Sequence, residues 1–135
     1  MYRTRKLVSL ARDTRGQSVV EFALVLPLLL VIVFGITEFG RAWMTMNVLT
    51  SAAREGARLA AVTGPDQDAV IARVNQVCNS AKITPTAVTV TGPDADNRVT
   101  VTVDADFQVV TGTILGSFSG IIPLTANSIM RHESM

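Results

Sequence analysis

Few side chains in this sequence could carry the chemistry of an active site. His132 is the only histidine, and the sequence contains no HExxH pair, glycine-rich phosphate loop or zinc-type spacing. No second histidine is therefore available to act as the general base for a serine nucleophile. Cys78 is the only cysteine, so an internal disulfide is excluded, and its place on an apolar helix face predicts a buried, inert thiol. We predict a protein that is not an enzyme and holds no cofactor.

Four aspartates lie close together in a turn and on the segment after it, and these are Asp94, Asp96, Asp104 and Asp106. Their oxygens are potential calcium ligands, but alternating acids on the outer face of a hairpin are usually solvated. No bidentate glutamate or loop repeat of the EF-hand type accompanies them. We therefore expect no metal site.

Glu21 stands beside the most apolar segment of the chain. Residues 22–37 contain no charge, and residues 19–37 as a helix would span about 28 Å, close to the roughly 30 Å hydrocarbon core of a bilayer. A carboxylate at the edge of such a span is costly, so it is either paired for a function or held at the level of the lipid headgroups. The residues alone leave both interpretations open.

The segment before the apolar run is basic. Residues 1–16 contain five basic residues and one acid. By the positive-inside rule they keep the N-terminus in the cytoplasm, so a single-pass protein would export its C-terminal part. Topology explains this cluster, and the formal net charge of the whole chain is only +1. We therefore expect membrane lipid around the chain and no nucleic acid.

The hydrophobic pattern predicts an α+β fold that begins with a long helix. Residues 17–61 form this helix, with a transmembrane part at about 19–37 and a stripe of small or apolar residues beyond it. The stripe comprises Ala42, Met46, Leu49, Ala53, Gly56 and Ala60. It packs either against the chain's own sheet or against another subunit, and Ala53, Gly56 and Ala60 are its candidate helix-packing residues.

Residues 62–135 predict an exported globular region. Apolar residues recur every three to four positions over residues 66–82, which predicts a second helix. Alternation of apolar and polar residues then predicts a small antiparallel sheet of about three strands. The expected strands cover residues 86–91, 98–110 and 124–132. The glycine-rich segment 111–123 predicts a loop or a short helix across the sheet.

A basic segment that ends in a glycine precedes the apolar run. Residues 15–22, RGQSVVEF, are similar to a type IV prepilin leader, where a glutamate is the fifth residue after the glycine. The break lies before the apolar run, unlike the cleavage site of an ordinary secretory signal peptide. EFALVLPLLL at 21–30, AAREGARLAA at 52–61 and, more weakly, PLTANSIMRHE at 123–133 extend the similarity. Together these stretches resemble the TadE-like family of tight-adherence (Flp-type) type IV pilus systems.

The resemblance implies a role for each residue of the leader motif. Gly16 would precede the bond that a prepilin peptidase cuts, and Gln17 would become the new N-terminus. Glu21 would pair with the free terminal amine of a neighbouring subunit during assembly. This suits the physics, because a carboxylate in lipid needs a cationic partner. Phe22 would fill the position that follows this glutamate in the family.

The resemblance also implies a function. The chain would be a non-enzymatic minor pilin or pseudopilin, since major Flp pilins have little beyond the helix. Its partners would be the prepilin peptidase, other pilin or pseudopilin subunits and the inner-membrane assembly platform. It would be anchored in the bacterial inner membrane, with its globular region periplasmic or extracellular, or incorporated in a pilus. Two alternatives are an uncleaved membrane-tethered binding or platform protein, and a soluble exported protein cut near Gly35.

Overall fold

Two helices and three strands make up the part of the chain that the computed structural model describes, which is residues 14–64, 66–111 and 120–132. They are α1 at Thr14–Thr63, α2 at Gln67–Ser80, β1 at Ala87–Thr91, β2 at Arg98–Gln108 and β3 at Ile121–Arg131. The predicted α+β fold is confirmed. The chain divides after Gly35 into two compact units.

α1 is a 50-residue helix that contains Pro27. A proline removes one backbone hydrogen bond, a loss that helices in an apolar segment tolerate. The hydroxyls of Thr45, Thr50 and Ser51 each donate to the carbonyl four residues earlier, so the helix itself satisfies these polar groups. Gly64 follows the helix with a φ of 79°, a conformation that glycine adopts without a steric penalty.

α2 is shorter at both ends than the predicted helix over residues 66–82. Asp66 lies outside it as the N-cap, where its carboxylate accepts from the amide of Ala69 at 3.4 Å. Short acidic side chains favour this position because they satisfy an amide that has no partner within the helix. At the other end, Lys82 has a φ of 58°, which ends the helical path.

The three strands form an antiparallel sheet in the order β1-β2-β3. The central strand, β2, alternates between buried and exposed residues. Its buried face comprises Val99, Val101, Val103, Ala105 and Phe107. The predicted alternation is therefore confirmed over Arg98–Gln108, and the strand ends two residues before the predicted limit at residue 110. Val99, Val101, Val103 and Ala105 form one core with Val70, Val74 and Cys78 of α2 and with the alanine-rich half of α1.

β3 differs from the prediction because it begins at Ile121, three residues before the expected start. Pro123 was expected in the connecting segment but lies in the strand, opposite Asp106. A proline has no N–H to donate, so strands accept it mainly at the edge of a sheet, and β3 is an edge strand. The loop or short helix expected over residues 111–123 falls largely at 112–119, which lie outside the described residues.

Candidate functional site

The residues of the predicted leader motif lie in the first turns of α1. Gln17, Glu21 and Phe22 are exposed, and the Nε2 of Gln17 donates to Oε1 of Glu21 at 3.1 Å. A Cβ added to Gly16 would have no atom within 4 Å. The structure thus brings Gln17 and Glu21 together across one helical turn and leaves open space around Gly16.

The side chains that follow Glu21 are apolar and exposed. α1 is long and apolar enough to cross a membrane, and none of the most apolar stretch is buried within the chain. Its large exposed side chains include Leu24, Val25, Leu28, Leu29, Val31 and Ile32. A helix that is hydrophobic all round must be covered by lipid or by other helices. The N-terminal apolar helix therefore fits membrane anchoring.

The candidate packing residues of α1 lie in the chain's own core. Ala53 and Ala60 are completely buried. A Cβ added to Gly56 would lie 2.7 Å from Cγ2 of Val74 and 3.2 Å from Cγ1 of Val101. Gly56 therefore permits α2 and β2 to approach the axis of α1 more closely than any larger residue would.

Glu55 joins α1 to α2 through two guanidinium groups. Its Oε1 lies 2.9 Å from Nη2 of Arg58 on α1 and 2.8 Å from Nη2 of Arg73 on α2. Hydrogen bonds from Arg58 and then from Arg73 lower the pKa of Glu55 to about 2. The AAREGAR segment thus combines small residues that pack with an acid that ties the two helices together.

We expect the stability of the globular region to fall in acid through Glu55. The folded-state pKa lies below the ordinary value of 4.5, so the stabilisation is complete above about pH 4.5 and is lost as the pH falls towards 2. Thermal unfolding of the full chain in detergent, followed by circular dichroism from pH 7 to pH 2.5, measures this. Glu55→Gln should lower the Tm near pH 7 and flatten its decline below pH 4.5. An identical acid profile for both proteins would contradict the assignment.

Glu38, the first charged residue after the uncharged run, holds the segment that follows β2 against α1. Its carboxylate accepts from the amide of Val110 at 3.0 Å and from the hydroxyl of Thr111 at 3.1 Å. Arg41 donates to the same carboxylate at 2.9 Å, and its guanidinium carbon lies 5.2 Å from the ring centre of Phe107. This cluster is not predicted from the sequence, where its one local signal is the i, i+3 spacing of the acid Glu38 and the base Arg41.

Replacement of Glu38 should loosen the segment that follows β2. Glu38→Ala removes the acceptor for the Val110 amide, so we expect faster hydrogen exchange at that amide and a lower Tm. Hydrogen exchange of the full chain in detergent, resolved to single amides, measures the effect. Glu38→Gln is the matched control, because it keeps an acceptor oxygen and should give an intermediate rate. Unchanged protection of Val110 in the alanine variant would refute the role of this contact.

The aspartates of the turn are engaged by neighbouring groups. The carboxylate of Asp94 accepts hydrogen bonds from the backbone amides of Arg98 and Asp96. The guanidinium of Arg98 forms ion pairs with the carboxylates of Asp94 and Asp96. The hydrogen bond from the Arg98 amide is the largest influence that lowers the pKa of Asp94. Within residues 14–64, 66–111 and 120–132, no group of histidine, cysteine and acidic side chains could hold a metal ion.

The two other chemically distinctive side chains have structural contacts. Nδ1 of His132 lies 2.9 Å from the carbonyl of Ala61, and its backbone amide donates to the carbonyl of Asn97 at 2.6 Å. The contact with Ala61 joins the end of β3 to α1. Cys78 is buried, as predicted, and burial raises the pKa of its thiol. These contacts are part of the fold. The candidate functional site is the exposed N-terminal part of α1, which carries the residues of the predicted leader motif.

Comparison with known proteins supports this choice. The model of the family described as TadE-like protein matches residues 16–58. The predicted resemblance is therefore confirmed over this stretch, which includes Glu21, the uncharged run and AAREGAR. No curated protein and no solved structure matched the chain. The family match supports a protein associated with a tight-adherence pilus.

Proposed function

From the match of residues 16–58 to the TadE-like family, we propose that this chain is a non-enzymatic minor pilin or pseudopilin that acts in the assembly of a tight-adherence pilus. The observation that carries the proposal is the position of the match. It starts at Gly16 and includes both Glu21 and the exposed apolar part of α1. A pilin needs a cleavage point at the end of its leader and, directly after it, an apolar helix that stays in the mature protein as the membrane anchor.

Assembly would follow processing in the membrane. The basic residues of the leader hold the N-terminus in the cytoplasm, and a prepilin peptidase cuts after Gly16. Cleavage separates Gln17 from the leader and leaves a terminal amine four residues before Glu21. In the full chain the Gln17 side chain donates to Glu21. After cleavage, the amine of a neighbouring subunit competes for this carboxylate as the stronger, cationic donor.

The globular region gives the chain a folded surface for contacts with other proteins, which an anchoring helix alone does not have. It has its own core and lies beyond residues 19–37, so it would face the periplasm or the cell exterior. There it would prime, cap or regulate the fibre through contacts with other pilin subunits and with the assembly platform. Its proposed role is binding.

The N-terminus of the protein in its native membrane tests the proposal. Terminal mass spectrometry should find a mature chain that starts at Gln17. Gly16→Leu should abolish this start, and it should do so without disturbing the fold, because a Cβ at Gly16 meets no atom within 4 Å. Gly35→Leu is the matched control, since Gly35 has equally open surroundings and lies beyond the leader.

Two other starts would overturn the proposal. A start at Met1 would indicate a permanently anchored platform or binding protein. A start near Gly35, together with release from the membrane, would indicate an ordinary signal peptide.

A further inference from the structure

A patch of large apolar side chains lies exposed on α1 directly after the uncharged run. It consists of Ile36, Phe39, Trp43 and Met44, which are 62–70% exposed, and is called the aromatic patch below. The rings of Phe39 and Trp43 are stacked, with centroids 6.3 Å apart and planes inclined by 28°. Exposed apolar groups of this size mark a surface that is covered in the working protein.

The chain's own core does not cover the aromatic patch. Ile36, Phe39 and Trp43 are spaced i, i+3 and i+7, so they share one face of the helix. From the same helical turns, Glu38 contacts the segment after β2 and Arg41 contacts Phe107 of β2. At about 100° per residue, Glu38 and Arg41 lie roughly 130–170° around the helix from the centre of Ile36, Phe39 and Trp43. Ile36, Phe39 and Trp43 therefore point away from β2, whereas Met44, at the border of the patch, lines a cavity together with Arg41 and Phe107.

The position of the patch along α1 matches the depth of the lipid headgroups. Trp43 lies six residues after Thr37, about 9 Å along the helix at ~1.5 Å per residue, and Phe39 lies only about 3 Å beyond Thr37. The headgroup layer on each side of a bilayer is about 5–8 Å thick. Side chains on a helix lean towards its N-terminus, which brings both rings closer to the end of the span.

We propose that the aromatic patch inserts into the lipid headgroup layer on the C-terminal side of the span and fixes how far α1 emerges from the membrane. The inference rests on the proposed function, which makes residues 19–37 transmembrane. Lipid is the occupant because the patch follows, on the same helix, the exposed apolar run that lipid would cover in the proposed function. The residue types agree, since tryptophan combines an apolar ring with a polar N–H and is enriched at this level.

Trp43 is the only tryptophan of the chain, so its fluorescence reports on the patch alone. The full chain is reconstituted into phosphatidylcholine vesicles, recovered by flotation and probed with three quenchers. They are a nitroxide on the lipid headgroup, a nitroxide near the end of the acyl chain, and acrylamide in the water. We expect a blue-shifted emission that the headgroup nitroxide quenches most, with weak quenching by the other two.

The matched control moves the tryptophan to the other end of the same helix. Val62 is 70% exposed, and the double variant Trp43→Phe/Val62→Trp carries the probe about 28 Å farther along α1. Its emission should lie to the red, and acrylamide should quench it strongly while neither nitroxide does. This contrast shows what an aqueous site on α1 looks like under the same conditions.

Three results would overturn the proposal, each for a different reason. Acrylamide quenching of Trp43 as strong as in the control variant would place the patch in water. Protection from all three quenchers that grows with the protein-to-lipid ratio would mean that another copy of the chain covers it. If the protein fails to float with the vesicles, residues 19–37 do not anchor it in a membrane, and the proposed function on which this inference rests is wrong.

Discussion

Substitution of Gly56 by leucine should destabilise the globular region by roughly 3 kcal/mol or more. A Cβ alone would lie 2.7 Å from Cγ2 of Val74, and valine is stiff about χ1, so this neighbour cannot rotate away at low cost. The larger side chain would force α2 and β2 away from α1. For a region of about 100 residues, the expected decrease in Tm is roughly 12–24 °C.

Two further variants separate the clash from the change in helix propensity. Gly56→Ala gains up to about 1 kcal/mol in propensity but still places a Cβ against Val74, so we expect a net effect between about 0 and 2 kcal/mol destabilising. Gly40→Leu is the size-matched control on the same helix, because a Cβ there meets no atom within 4 Å. Thermal unfolding of the full chain in detergent measures all three. Equal Tm values for Gly56→Leu and Gly40→Leu would refute the close approach at Gly56.

Loss of the Glu21 charge should reduce incorporation of the protein into fibres by at least about tenfold. Glu21→Gln keeps the size of the side chain and removes its charge, so a neighbour's terminal amine loses its ionic partner in an apolar layer, where such pairs are strong. Insertion and cleavage should continue, since the helix becomes more apolar. The ratio of protein in sheared fibres to protein in membranes, measured by quantitative immunoblotting, gives the effect.

A double-mutant cycle with Gly16→Leu tests whether the partner of Glu21 is the amine that cleavage releases. If it is, Glu21→Gln should have little further effect in the uncleaved background, because no free Gln17 amine forms there. Glu21→Asp keeps the charge on a shorter side chain and should retain part of the incorporation. Fibres with wild-type amounts of the Glu21→Gln variant would rule out charge pairing in assembly.

Features that depend on local pattern could be read from the sequence. The alternation in β2 places Val99, Val101 and Val103 in the core, as expected for a strand with one buried face. The apolar run predicts a helix because it is long and free of charge. Gln17 and Glu21 lie one helical turn apart, so their contact also follows from spacing alone.

Features that depend on distant contacts could not be read in the same way. Glu38 binds groups 72 and 73 positions later in the chain, and no periodic pattern encodes such a pairing. The start of β3 was misplaced because Pro123 is a strand breaker in general, whereas an edge strand tolerates it. Gly56 indicates a close approach, but which surface approaches it is a tertiary property that the residue type does not specify.

The position of β3 at the edge of the sheet has a consequence for the behaviour of the purified protein. Within the described ranges β3 pairs with β2 alone, so its outer backbone groups are a template for a further strand. Pro123 offers no N–H, which leaves residues 124–130, about 23 Å of strand, free to be extended. Because the inner edge of β3 is paired with β2, pairing of β3 with β3 joins two copies and cannot continue into a longer stack. In a parallel pair the two Arg131 side chains would lie side by side and repel each other, so concentrated preparations that associate through this edge should form antiparallel pairs.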